Sequence, residues 1–340
     1  MPTAFDEIVD GRLLTRKIKE ADHPTDSSID AIFVEEDGPP RFMRNMNDKD
    51  LGRVLSQSEK PILRIFFLNV DGDTASGKKY SADALRALNQ KAGMSKLLLS
   101  QMYQDSEWVG RFGNGCFVNN GWSPKDTTFE MVYYHCEPEF DHMLVNMVST
   151  GTHTTYFVVN PTPNLYGRLQ GQLEDNFELA YRLFFPDMLI VDEILKSFND
   201  ASAQKWEELA GLEVENEKPV PATQLGPQIE ELSLEWLCLS QGLSSTSKQL
   251  EFLAQAYNRF FGCFTAADAD GSGSDMESQS AVLIGLNGKE EKPVSSFNRG
   301  ADDLLGFMVS KCQAQKDWIG TSRESTRMLM QYTQMRGQTA

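Results

Sequence analysis

Two stretches in the last third of the chain carry apolar residues at heptad spacing. The first stretch has Trp236, Leu239, Leu243, Thr246, Leu250, Leu253, Tyr257 and Phe260. The second has Leu305, Met308, Cys312, Gln315, Ile319, Ser322, Thr326 and Leu329. Steps of three and four residues keep such a stripe on one side of an α-helix, where it packs against another helix. The pattern predicts a helical hairpin at 229–335, with a flexible acidic linker at 264–297 inside it.

A hairpin of this kind favours assembly or scaffolding over catalysis, and two packing arrangements are open. The stripes can join separate molecules, or they can fold back and pack against the chain's own core. Polar members weaken an apolar stripe, because each one leaves a gap or needs a hydrogen bond across the helices. These members are Thr246, Gln315, Ser322 and Thr326.

The N-terminal half alternates between strand-like and helix-like patterns. Short runs rich in β-branched and aromatic residues predict strands at 61–70, 128–136 and 152–160, with a turn or short strand at 139–150. These elements predict an α+β or α/β fold, with a small-sheet α/β domain at 59–213 that precedes the helical hairpin. The first 58 residues are polar, apart from a strand-like run at 31–33, and we expect a partly ordered lead-in there.

The stretch at 214–228 is acidic and contains three prolines, Pro219, Pro221 and Pro227. Proline cannot donate a backbone hydrogen bond and restricts the residue before it, so this composition predicts a linker between the α/β domain and the hairpin.

The charge balance limits the partners that the chain can have. There are 32 basic and 49 acidic residues, a formal net charge of -17. Such a charge repels phosphate backbones, so we expect no nucleic-acid partner. Five scattered cysteines without a CxxC pair suit reduced thiols in the cytosol. Because no signal peptide and no apolar run of about 20 residues is evident, we expect a cytoplasmic chain without direct membrane insertion.

One stretch imitates a phosphate-binding loop. Gly72, Gly77 and Lys78 follow a predicted strand with the spacing of that motif, whose backbone N–H groups and lysine hold phosphates. The next residue, Lys79, replaces the Ser or Thr that would bind magnesium. Asp192, after an apolar run, is a candidate magnesium carboxylate. The alternative function is therefore a degenerate P-loop nucleotide-binding enzyme.

A second stretch, from Asp268 to Glu277, begins like a calcium-binding loop. Asp268, Asp270 and Ser272 supply oxygen ligands at the first, third and fifth positions. The twelfth position, which needs a bidentate glutamate, is Gln279. A calcium-binding adaptor is thus a further alternative, and a flexible acidic linker is the competing interpretation.

Metal-competent side chains also cluster in sequence around His135, Cys136, His142 and His153. Their spacing matches no compact zinc pattern, and strand alternation sends His135 and Cys136 to opposite faces. The sequence therefore assigns no catalytic, cofactor-binding or metal-binding residue.

Several parts of the chain resemble the cytosolic part of CorA-like divalent-cation transporters, in the divergent form found in fungi. The predicted strands at 128–136 and 152–160 resemble a hairpin of their α/β domain, and 184–191 with 206–209 resembles the helices that follow. A helix that precedes their membrane segment is similar to a stretch with Asp302, Asp303, Leu304, Leu305, Phe307, Trp318, Ile319, Ser322, Arg323, Glu324 and Tyr332. The resemblance spans about 60–335.

This resemblance implies a regulatory or non-transporting relative of a magnesium or divalent-cation transporter. It implies Mg²⁺ as the ion, and as partners the chain itself or full-length CorA-like subunits. The family's Gly-Met-Asn loop is absent, and Gly93, Met94 and Ser95 only echo it at another place.

The chain stops at Ala340 without the family's membrane helices, so it cannot conduct ions as given. The resemblance then implies a regulatory fragment, a coding sequence cut short, or a degenerate paralogue. It also implies membrane association if the chain is truncated or joins a transporter. No functional residue of the family has a matching position here.

Overall fold

The computed structural model describes residues 9–36, 38–57, 61–69, 79–103, 113–119, 127–135, 143–218, 222–265 and 294–339. Side chains at 222–223, 264–265, 294–302 and 337–339 lie outside this description. The strands are β1 (Ile29–Val34), β2 (Arg41–Met46), β3 (Leu63–Leu68), β4 (Gly115–Asn119), β5 (Thr128–His135), β6 (Met143–Ser149) and β7 (Thr154–Val159). The α-helices are α1 (Gly11–Glu20), α2 (Asp48–Leu55), α3 (Ala82–Ala87), α4 (Lys96–Met102), α5 (Leu165–Asp175), α6 (Phe185–Asn216), α7 (Ala222–Thr265) and α8 (Val294–Thr339).

All seven of these strands form one mixed sheet in the order β2-β1-β3-β7-β6-β5-β4. Neighbouring strands are antiparallel except β3 and β7, which run parallel with Leu63 opposite Thr154 and Leu68 opposite Val159. Parallel neighbours need a crossover connection, and here it includes α3, α4 and the strands β4 to β6. A mixed sheet followed by long helices confirms the predicted fold class.

Helices cover both faces of the sheet. Along β3, Ile65 and Phe67 join the core formed with α5 to α8, whereas Phe66 and Leu68 join the core formed with α1 to α4. Successive side chains of a strand point to opposite faces, so a strand buried on both sides is apolar at nearly every position. This explains why β3 appears in the sequence as an apolar run that only Arg64 interrupts.

The first 58 residues differ from the predicted lead-in, because they supply two strands of the sheet. β1 pairs with both β2 and β3, and its residues Ala31, Ile32 and Phe33 are fully buried. β2 is an edge strand with the polar sequence RFMRNM. An edge strand needs little apolar character, and for that reason β2 is hard to recognise in a sequence.

The strands at 128–136 and 152–160 are both present, but they do not form a hairpin with each other. β6 lies between β5 and β7 and pairs antiparallel with each of them. The turn or short strand expected at 139–150 is thus a seven-residue central strand.

α7 and α8 form the predicted helical hairpin, and α6 packs against both as a third helix. We call the two heptad stripes named above the inner stripes. All eight residues of the α7 inner stripe are buried, and in α8 all are buried except the half-buried Leu305 and Gln315. The exposed areas refer to a single chain, so the inner stripes pack within one molecule and are not free to join two.

All four polar members of the inner stripes donate a hydrogen bond, although the buried Oε1 of Gln315 has no partner among the described residues. The hydroxyls of Thr246, Ser322 and Thr326 each donate to the backbone oxygen four residues earlier, over 3.2, 3.0 and 3.0 Å. Gln315 instead donates across the bundle, from Nε2 to the Leu195 oxygen over 2.8 Å. Only one of the four polar members therefore needs a partner on another helix.

The stretch predicted as a linker, 214–228, is mostly helical. α6 continues to Asn216, and α7 begins at Ala222 with Pro227 inside it. Pro227 removes a backbone donor, but Leu225, Ile229 and Leu232 around it are buried in the bundle. Burial of these side chains outweighs the local cost of the proline. Most of the predicted acidic linker at 264–297 lies outside the described residues.

Within the described part of the chain, no helix has an apolar stretch long enough to cross a bilayer.

Candidate functional site

A second heptad stripe runs along α8, on a flank that the bundle leaves exposed. We call it the outer stripe; it consists of Phe307, Lys311, Ala314, Trp318, Thr321, Ser325, Met328, Tyr332 and Met335. Its five large apolar members, Phe307, Trp318, Met328, Tyr332 and Met335, are 38–60% exposed. From Phe307 to Met335 the stripe extends about 42 Å at the usual helical rise of ~1.5 Å per residue.

Two members of the outer stripe, Lys311 and Trp318, border α6. Lys311 Nζ contacts Asp192 Oδ1 at 2.6 Å, and the ring of Trp318 lies 6.0 Å from that of Trp206. Trp318 also meets the buried Trp236 of α7 edge to face, at 6.2 Å. Three tryptophans from three helices thus make contact at one level of the bundle, and Trp206 and Trp318 remain partly exposed there. These rings give the stripe a rigid centre.

Acidic and basic residues are unequally distributed among the three helices of the bundle. Between Asp200 and Glu235 there are nine acidic residues and two lysines: Asp200, Glu207, Glu208, Glu213, Glu215, Glu217, Glu230, Glu231, Glu235, Lys205 and Lys218. An open groove between α6 and α7 is lined by four of them, Glu208, Glu215, Glu231 and Glu235. On α8, from Phe307 to Arg336, five basic residues (Lys311, Lys316, Arg323, Arg327, Arg336) accompany two acidic ones (Asp317, Glu324).

The acidic groove does not form a metal centre. Lys205 Nζ lies between Glu208 and Glu235, at 3.0 and 2.9 Å from their carboxylate oxygens. Nowhere among the described residues do three His, Cys, Asp or Glu side chains converge as a metal site requires. The resemblance to divalent-cation transporters implies Mg²⁺, but the described side chains do not fit a bound ion, and we derive no chemistry through one.

The proposed magnesium carboxylate of the P-loop hypothesis, Asp192, lies in helix α6 rather than after a strand. Its carboxylate contacts Arg168 and Lys311. Burial tends to raise the pKa of Asp192, but hydrogen bonds from Lys311 and Arg168 lower it overall. These contacts give Asp192 the role of joining α5, α6 and α8. Gly72, Gly77 and Lys78 lie outside the described residues.

The other candidate residues are scattered or outside the description. The calcium-loop stretch with Asp268, Asp270, Ser272 and Gln279 is outside it, as are Cys136 and His142. His135 is fully buried at the end of β5, and burial lowers its pKa to about 3. His153 is in the β6–β7 turn, with Nδ1 3.2 Å from the Pro61 oxygen.

A buried polar cluster that the sequence analysis does not predict lies at the start of α6. Asp187 is fully buried, and its two carboxylate oxygens accept hydrogen bonds from Tyr133 and Tyr156 over 2.6 and 2.5 Å. In the sequence Asp187 merely interrupts an apolar run, next to Pro186. A charged residue inside an otherwise apolar segment is the signal that could have identified it, because such a group needs partners when buried.

Solved structures similar to this chain include three proteins at low sequence identity. The soluble domain of CorA from Methanocaldococcus jannaschii is 12% identical, with coverage of 89% of this chain and 95% of that chain and a TM-score of 0.49. The full-length CmaX protein is 11% identical (93% and 81% coverage, TM-score 0.46). The ZntB cytoplasmic domain from Vibrio parahaemolyticus is 5% identical (88% and 99% coverage, TM-score 0.37).

No family model and no curated protein matches the sequence. Similarity at this level assigns no residue role, so the function is inferred from the surfaces of the chain itself.

Proposed function

We propose that this chain is a self-associating domain that assembles through the outer stripe of α8. We further propose that it acts as a regulatory, non-transporting part of a CorA-like divalent-cation transporter. The observation that carries the first statement is the exposure of one continuous heptad stripe on a helix whose inner stripe is already buried. The resemblance of the sequence to the cytosolic part of those transporters supports the second.

The distribution of charge supports a second copy of this chain as the occupant of the outer stripe. A free chain with a net charge of -17 repels its own copies overall. Between Phe307 and Arg336, however, α8 has an excess of basic residues, and the α6–α7 face around the acidic groove has an excess of acidic ones. These two faces attract each other when they belong to different molecules.

A contact between two different faces is heterologous, because each copy uses one face toward each neighbour. Heterologous contacts close into rings when the rotation between copies permits it, and otherwise they extend into filaments. We therefore expect a ring or higher oligomer in which the outer stripe of one copy packs on the acidic α6–α7 face of the next.

Sedimentation velocity over a range of protein concentrations tests the association. We expect oligomers in the wild type and at least a tenfold weaker association, about 1.4 kcal/mol, in the variant Phe307→Glu/Met328→Glu. Added salt should also weaken the association, since screening reduces the attraction between the faces.

The matched control is Val309→Glu, a change at another exposed apolar residue of α8 that lies off the outer stripe. It should associate like the wild type. A monomeric wild type at all concentrations, or equal association of the double variant and the wild type, would contradict the proposal. Circular dichroism establishes that each variant retains its helices.

The second statement needs its own experiment. A tagged copy of this chain, co-expressed with a full-length CorA-like transporter, should co-purify with it, and the variant Phe307→Glu/Met328→Glu should not. If the chain self-associates but never co-purifies with the transporter, the proposed regulatory role is wrong, whereas the proposal of self-association is unaffected.

A further inference from the structure

A cavity of about 250 Å³ lies in the α/β part of the chain and shares no lining residue with the acidic groove. It is enclosed by the beginnings of β3 and β7, the β6–β7 turn and the segment that enters α6. Its walls are mainly apolar and include Ile62, Leu63, Met147, Leu183 and Phe184, with Tyr156 beside them. An apolar pocket with a few polar groups at its mouth is the usual form of a small-molecule site.

One wall of this cavity contains a residue with a strained backbone, which its neighbours hold in place. Phe184 has a backbone φ of 59°, in the left-handed region that a phenylalanine rarely adopts. Its ring packs against Tyr257 and Phe260 of α7, with centroids 5.6 and 6.1 Å away. Strained residues of this kind persist only where the surroundings fix them, and they are frequent at ligand-binding sites.

Two opposite charges line the mouth of the cavity. Glu36 and Arg182 are both exposed there, and neither forms an ion pair with a described residue. The Tyr181 hydroxyl donates to the Glu36 backbone oxygen over 2.8 Å, so the two loops that carry these charges are joined. A ligand that enters the cavity therefore meets one cation and one anion.

The backbone at the start of α6 does not provide a further anion site. The Phe185 N–H donates to the Arg182 oxygen over 3.3 Å, and Pro186 has no N–H. Asp187, the next residue, places its own carboxylate in this turn. Arg182 is therefore the cationic side chain that an incoming carboxylate would meet at the mouth of the cavity.

We infer that this cavity binds a free α-amino acid with an apolar side chain. Its carboxylate would pair with Arg182 and its ammonium with Glu36, while the side chain enters the cavity between Leu63, Met147 and Leu183. A volume of about 250 Å³ corresponds to roughly eight water molecules at ~30 Å³ each. This space is large enough for the side chain of leucine or methionine.

Isothermal titration calorimetry with leucine and methionine tests this inference. We expect saturable binding with a dissociation constant of about 1 mM or tighter. The analogues 4-methylpentanoate and 3-methylbutylamine each lack one of the two charges, and each should bind at least tenfold more weakly. Arg182→Ala and Glu36→Ala change exposed side chains and should weaken binding of leucine by the same factor.

Arg12→Ala, at an exposed arginine of α1, is the matched control and should bind leucine like the wild type. Ala180→Trp, which places a large ring in the cavity, should abolish binding. No heat with either amino acid at about 10 mM, or unchanged affinity in Arg182→Ala and Glu36→Ala, would overturn the inference. Because none of these residues lies on the outer stripe, the result does not depend on whether the chain self-associates.

Discussion

The hydroxyl of Tyr156 donates a hydrogen bond of 2.5 Å to Oδ2 of Asp187, and this bond joins the central strand β7 to the first turn of α6. Tyr133 donates to the other carboxylate oxygen, over 2.6 Å. Burial raises the pKa of Asp187 to about 6, although both tyrosine hydrogen bonds act to lower it. A proton on Asp187 is therefore bound more tightly in the folded chain than in the unfolded chain.

This pKa predicts an unusual pH dependence of stability. The contribution of Asp187 is fully present below its unfolded pKa of 3.8 and is lost as the pH rises through about 6. Relative to Asp187→Asn, which does not titrate, the wild type should gain roughly 2–3 kcal/mol when the pH falls from ~6.5 to ~4. Urea denaturation of both proteins across this range measures it. A constant difference between them would show that Asp187 has an ordinary pKa.

Gly242 lies at a close contact between two helices, and this contact predicts the effect of a substitution there. A Cβ at position 242 would lie 2.5 Å from Cζ of Phe198, which is fully buried between α6 and α7. Gly242→Ala should therefore destabilise the chain by about 1–3 kcal/mol, because the ring cannot move without disturbing the core. Gly211→Ala is the matched control: position 211 is also helical but has open space, so this change should stabilise by about 0.5–1 kcal/mol. Equal effects at both positions would contradict the packing.

The buried hydroxyl of Thr326 predicts a stabilising substitution. It donates only to the Ser322 oxygen of its own helix, over 3.0 Å, and no bond from it to another helix is seen. Thr326→Val should raise the free energy of unfolding by up to about 1 kcal/mol, because an apolar group suits this site better. Thr15→Val removes a similar bond, to the Gly11 oxygen, on the exposed face of α1 and should have no measurable effect. A clear loss of stability in Thr326→Val would indicate that its hydroxyl contributes more than this bond.

Arg168 predicts the cost of breaking a partly buried ion pair. It contacts Asp192 and Glu193, and the Glu193 side chain is only 5% exposed. Arg168→Met should cost about 2–3 kcal/mol, less than the ~3–5 kcal/mol of a fully buried pair, because Arg168 is partly exposed. Arg86→Met breaks an exposed pair with Asp83 and should cost less than about 1 kcal/mol. Thermal or urea denaturation measures the loss of stability in each variant. Similar losses in Arg168→Met and Arg86→Met would show that Arg168 has no special structural role.

The residues of the candidate assembly surface can be read from the sequence, but their exposed position in the fold cannot. In the sequence, Phe307, Trp318 and Tyr332 stand out only because their stretch resembles a helix of the transporter family. Their heptad relationship becomes meaningful once the inner stripe of α8 is known to be buried, because only then is the outer stripe the part left exposed. The cavity near Arg182 and Glu36 was not predictable, since these residues are 146 positions apart in the chain.

The sequence by itself determined the local elements of this protein: the heptad hairpin, the apolar strands β3, β5 and β7, and the mixed α and β class. Side-chain periodicity sets these features within a few turns or one strand, so they can be recognised without the rest of the fold. Only the tertiary structure decided that the polar β2 joins the sheet, that Pro227 is inside α7, and that Asp192 and Asp187 connect separate elements. Each of these depends on burial against residues distant in sequence, whose packing energy exceeds the local preference of the chain.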